Sequence, residues 1–223
     1  MKSSVFWALV RKDLYLLRHI IIAMVVVGLA SFYALRFGRI AFAIGGIVFL
    51  TTNIAGGIFM AMASLLGERK ELARTFALSL PISGRDYALT KLVSGYLSYG
   101  IPWLVVTGVV VAAFLTSPDA PDHGMVVYAL LLQFYALAMY CVLLTALFSS
   151  TSEGMSVAII LGGNMLFSLF MVQLNQPEII GPLKTGQVVW TSFARLTLAG
   201  ELVAIALSVA IALLVASRRR DYI

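Results

Sequence analysis

The sequence predicts an all-α integral membrane protein: six transmembrane helices, an N-terminal interfacial helix, and a short charged helix on the cytoplasmic side between spans two and three. Three observations carry this. Hydrophobic residues make up 61% of the 223 and charged residues 12%, where a soluble domain carries about 25% charge, and the mean hydropathy is +0.98. Six segments are apolar over the roughly 20 residues that a helix needs to cross a bilayer. No β-barrel alternation is present, and hydrocarbon offers no partner for backbone N–H and C=O groups, so spans of this length are helices.

The N-terminal stretch "MKSSVFWALVRKDLYLLRH" has a basic start like a secretory signal, but Arg11, Lys12, Asp13 and Arg18 break its apolar runs and no small-residue cleavage site follows. It is read as retained. Arg11 and Arg18 share a helix face with Trp7 nearby, so the segment is expected to lie along the inner membrane surface as an entry helix. Asp13 spoils a clean amphipathic pattern, and a plain cytoplasmic stub is the alternative.

The spans are placed at about 20–35, 40–66, 92–115, 125–148, 155–174 and 196–216, within a single transmembrane domain covering 1–223. The fifth follows the polar bridge "SSTSEG". The sixth is short of apolar length: Leu202 to Ala216 reaches only about 22 Å at 1.5 Å per residue, against a core of roughly 30 Å. Its helix is therefore expected to begin near Leu196 and to draw Glu201 into the outer leaflet. A carboxylate there should face protein and find Arg195, Lys184 or a hydroxyl.

Orientation follows from the positive flanks. With the N-terminus inside, the inner segments hold Lys2, Arg11, Lys12, Arg18, Arg69, Lys70, Arg74, Arg85, Lys91, Arg218, Arg219 and Arg220, and the outer ones Arg36, Arg39, Lys184 and Arg195, a tally of 12 against 4. Both termini are expected in the cytoplasm of a bacterial-type inner membrane. The Arg36/Arg39 pair in the first outer turn is the local exception.

Several function classes find no support. His19 and His123 fall on opposite sides of the membrane and lack ligand-spaced carboxylates or cysteines, so no metal site is proposed. No GxSxG elbow occurs, and no catalytic residue is assigned. "GPLKTGQ" has the glycine spacing of a phosphate loop, but Gln187 and Val188 stand where Lys and Ser/Thr would contact phosphate and magnesium. The net charge of +6 is accounted for by the inner flanks, with no basic stripe of the kind that binds nucleic acid. Cys141 is the single cysteine and is read as a small packing residue. Inside the spans the polar side chains are Thr51, Thr52 and Asn53 in the second and Asn164 and Ser168 in the fifth. Asn53, Gly57 and Ala61 recur every four residues on one helix stripe. That stripe fits either close helix packing or a translocation path lined by Asn53, Asn164 and Ser168.

The longest polar passage is "GERKELARTFALSLPISGRDYALTKL", Gly67 to Leu92. Leu72 and Phe76 share a helix face, and Glu71 can pair with Arg74 three residues on. Pro81 then stops the helix. Ser83 can cap a new one that feeds into span three. An ordinary inner loop is the alternative. The passage resembles the region after the second span in permease subunits of the ABC-2 family of ATP-binding-cassette transporters, through Glu68, Glu71, Leu78, Leu80, Pro81, Ile82, Ser83, Tyr87 and Lys91. Gly84 departs from the pattern, since an Arg often follows the Ser; here Arg85 comes one position later.

The resemblance implies that the charged segment is a coupling helix seated in a separate ABC-type ATPase subunit, with Glu68, Arg69, Glu71, Leu72, Arg74, Phe76, Leu80 and Pro81 as the contact residues. It implies ATP and Mg in that partner and no cofactor in this chain. It further implies a second permease copy, in a homodimer or heterodimer, enclosing a translocation path, and export as the direction. Membrane lipid is the remaining partner, and nucleic acid is not one. An ATP-independent channel or a non-transporting assembly protein stays open; a channel should show polar or charged pore rings, which are not found.

Overall fold

The structure, a computed structural model, describes residues 3–66, 83–117, 120–149, 153–183 and 186–218. These form seven helices and no strand: α1 Ser3–Ala34, α2 Arg39–Leu66, α3 Gly84–Thr116, α4 Ala120–Ser149, α5 Glu153–Leu174, α6 Pro177–Leu183 and α7 Ser192–Arg218. All but α6 are long and apolar enough to cross a membrane, giving six candidate spans among the described residues. The all-α, six-span expectation is met. The charged segment between spans two and three lies outside the described residues.

The expected entry helix is not set apart from the first span. With no Gly or Pro before Gly28 to break it, the chain runs from Ser3 to Ala34 as one helix of 32 residues, about 48 Å at 1.5 Å per residue. It closes in a tightened turn, where Leu35, Arg36 and Phe37 donate to the carbonyls of Phe32, Tyr33 and Ala34. Gly38 follows at φ +90°, a conformation that glycine adopts without a Cβ clash.

The α3 start is as expected from sequence. The Asp86 amide donates to Ser83 Oγ at 3.1 Å, and Asp86 itself adds negative charge to the first turn. The helix then runs 33 residues through Pro102, which begins it eight residues before the expected span at 92. The short α6 was not foreseen from sequence. Its cues are Pro177 at the first helical position and Glu178 in the first turn.

Helix α4 is central. Its window is half buried, more than that of any other span, and its Tyr140, Leu144, Leu147 and Phe148 pack with Met60 and Leu65 of α2, Leu92 and Tyr99 of α3, and Ala212 and Ala216 of α7. Cys141 lies in the same core, as a packing residue would. Cross-helix hydrogen bonds fasten this layer: Trp103 Nε1 donates to the Gln133 carbonyl at 2.8 Å, and Thr145 Oγ1 to the Ser208 carbonyl at 3.0 Å. Helix α1 packs on α2 and α3, while α5 and α6 lean on α4. Outward faces are apolar, with Ile22, Ile47, Leu104, Met165 and Leu214 all exposed, as lipid contact requires.

Candidate functional site

Residues 67–82 attach at the end of the bundle where α2 finishes and α3 begins, and there the fold holds a buried ion pair. Lys91 Nζ of α3 donates to Asp13 Oδ2 of α1 at 2.7 Å, and Ser94 Oγ donates to the same oxygen at 2.9 Å. Lys12 stands 3.7 Å from the other carboxylate oxygen. Asp13 is 7% exposed and Lys91 4%. Sequence reasoning took Lys91 only as part of a motif and Asp13 as a flaw in a helix face. The missed signal is that Asp13 is the only acidic residue before Glu68. A cavity of about 170 Å³ opens beside the pair, lined also by Ser64 and Leu17. The residues expected to contact an ATPase, Glu68, Arg69, Glu71, Leu72, Arg74, Phe76, Leu80 and Pro81, lie outside the described residues.

At mid-bundle the Asn53–Gly57–Ala61 stripe of α2 faces inward. Asn53 Nδ2 donates to its own helix at the Phe49 carbonyl, 2.8 Å away, while Tyr99 Oη of α3 donates to the Asn53 carbonyl at 3.2 Å. Gly57 is small because it must be: a Cβ there would sit 3.1 Å from Tyr99 and 3.5 Å from Tyr140. Those two rings stack at 4.2 Å, and Tyr140 Oη donates to the Gly95 carbonyl. Asn53 and Asn164 line one small cavity of about 40 Å³ between α2, α4 and α5. Ser168 is not among its lining residues; it is exposed and donates to the Asn164 carbonyl at 3.2 Å.

Glu201 is buried at 7% exposure and faces protein, as expected, but among the described residues it meets neither Arg195 nor a hydroxyl. Both carboxylate oxygens are buried without a hydrogen-bond partner among the described residues. The helix begins at Ser192, earlier than Leu196. Arg195 is six residues away, which turns it about 120° round the helix at 3.6 residues per turn, and it is exposed. The Thr197 hydroxyl one turn away has its single proton on the Phe193 carbonyl at 3.0 Å and accepts from Gln173 Nε2 at 2.9 Å. Lys184 lies outside the described residues. A charged group at the centre of a span costs about 2.5 kcal/mol or more, and Glu201, near that depth, has no compensating partner among the described residues. It lines an open cavity of about 630 Å³ between α4, α5 and α7.

No group of three or more His, Cys, Asp or Glu gathers in a metal-holding arrangement among the described residues. The geometry is that of a membrane bundle with a fastened end, a packed middle and an open lateral groove beside Glu201. No curated protein and no solved structure matches the chain. A family model described as "ABC-2 family transporter protein" matches residues 8–217, nearly the whole length. By that match, laid over the same six-span bundle, the chain belongs to the ABC-2 family of transporter proteins.

Proposed function

We propose that this chain is the transmembrane permease subunit of an ATP-binding-cassette exporter, forming a translocation path with a second permease copy and driven by a separate ATPase subunit. The observation that carries the reading is the family match across residues 8–217. A membrane component of this family works in general with an ATPase partner, and the segment 67–82 has the charge and turn pattern of a coupling helix. Glu68, Arg69, Glu71, Leu72, Arg74, Phe76, Leu80 and Pro81 would make that contact, and ATP and Mg would be bound in the partner.

The ion pair between Asp13 and Lys91 supports the mechanical side of the proposal. It ties α1 to the start of α3, a short distance along the chain from the segment that would be pushed. A push on 67–82 would move α1 and α3 together. Asn53 and Asn164, which share a cavity in this single chain, are the proposed path residues, with Ser168 one turn beyond. The setting proposed is a bacterial-type inner membrane with both termini cytoplasmic.

The test is co-purification of the tagged chain with an ABC-type ATPase, followed by reconstitution. ATP hydrolysis that rises when both subunits are present in lipid, and falls when residues 67–82 are replaced by a flexible linker, is the expected result. A chain that purifies without any ATPase and supports no hydrolysis would overturn the proposal.

A further inference from the structure

We propose that the groove between α4, α5 and α7 is a binding site for a lipophilic organic cation, with Glu201 as its counter-charge and the stacked rings of Tyr135 and Phe170 as its aromatic wall. Glu201 stands four residues from the midpoint of α7, about 6 Å along the axis. An ionisable side chain at that depth and without a partner among the described residues points to a ligand or a transported group. The cavity volume, about 630 Å³, lies within the range of about 300–1,000 Å³ typical of small-molecule sites.

The lining selects the chemistry. Tyr135 and Phe170 stack at 4.1 Å, and both line the groove with Glu201. A carboxylate beside aromatic rings suits an ammonium or phosphonium centre, which gains from the ring quadrupole as well as from the opposite charge. Small inorganic cations are poorly served, because they need several oxygen ligands and give up water reluctantly. Most of the other lining is apolar, including Leu166 and Leu169, which fits a hydrophobic body attached to the charge.

A second copy of the chain is a weaker occupant. Its spans carry their Lys and Arg at the ends, and Lys91, the deepest in α3, is already held by Asp13. No cation at the depth of Glu201 is on offer from another copy.

The test is equilibrium binding of radiolabelled tetraphenylphosphonium to the purified chain in nanodiscs of neutral phosphatidylcholine. Saturable binding at one site per chain is expected, displaced by dodecyltrimethylammonium and not by dodecanol. Glu201→Gln should weaken it at least tenfold and Glu201→Asp less. Gly200→Leu fills the groove from a position where an added Cβ meets nothing within 4 Å, and should also weaken binding at least tenfold. Should Glu201→Gln fail to fold, Gly200→Leu decides alone. Unchanged affinity in the folded variants, or equal displacement by dodecanol, overturns the site. So does efficient cross-linking of Gly200→Cys between two chains in a Cys141→Ala background, which would make the groove a subunit interface. The assay contains no ATPase, so its outcome and that of the ATP-coupling experiment can fail separately.

Discussion

Asp13 of α1 and Lys91 of α3 meet at 2.7 Å in a site that leaves both nearly inaccessible, with Ser94 completing the shell of the shared oxygen. Removing one partner of a buried pair costs about 3–5 kcal/mol, and Lys12, 3.7 Å from the other Asp13 oxygen, offsets only part of that for the loss of Lys91. Lys91→Met should therefore lower the thermal midpoint of the purified protein markedly, and Asp13→Asn combined with Lys91→Met should recover most of the loss. Equal melting of wild type and Lys91→Met would show that the pair contributes nothing.

The positive flanks predict sidedness. A reporter fused after Ile223 should read as cytoplasmic, and one inserted near Asp119 as external. Swapped signals would reverse the orientation proposed from the 12-to-4 tally of Lys and Arg.

The charged segment predicts a contact. Cys141 is the only native thiol, so Cys141→Ala gives a background in which Arg74→Cys can be paired with cysteines along an ATPase groove. A cross-link whose yield changes with nucleotide is expected. Phe76→Ala should release the ATPase, because truncating a buried aromatic anchor typically costs about 2 kcal/mol or more. Intact assembly in Phe76→Ala, with no cross-link from position 74, would reduce the segment to an ordinary loop.

Helices α1 and α2 approach backbone to backbone at Ser31 and Gly45. A Cβ on Gly45 would lie 2.7 Å from the Ser31 carbonyl oxygen and 3.3 Å from Ala34 Cβ, and a carbonyl cannot swing aside as a side-chain tip can. Gly45→Ala should force the two helices apart and cost about 1–3 kcal/mol. Gly100→Ala, where the added methyl meets nothing within 4 Å, is the matched control. Equal stability of the two variants in a detergent melt would refute the close approach.

The spans were legible because twenty apolar residues admit few other structures, and the α3 cap was legible because Ser83 and Asp86 make it with local atoms. The ion pair was not. Asp13 and Lys91 are 78 positions apart, and a local pattern gives no reason to bring them together. The inward turn of Glu201 was foreseen from the cost of facing lipid. Its lack of a partner was not, since that depends on where Gln173 and Phe193 occupy the Thr197 hydroxyl. For Asn53, spacing gave the right face of α2 but no indication that its amide would bond back to Phe49.

The unbroken course of α1 has a consequence for motion. A helix without Gly or Pro over its first 25 residues behaves as a stiff rod over that length, so a change of tilt at Asp13 must arrive almost undiminished at Val27. Beyond it come Gly28 and then the turn at 35–38, where the helix has ended and Gly38 sits at φ +90°. A break in the helix at that turn lets the second span tilt independently of the first, so stiffening it should be felt at the opposite membrane face.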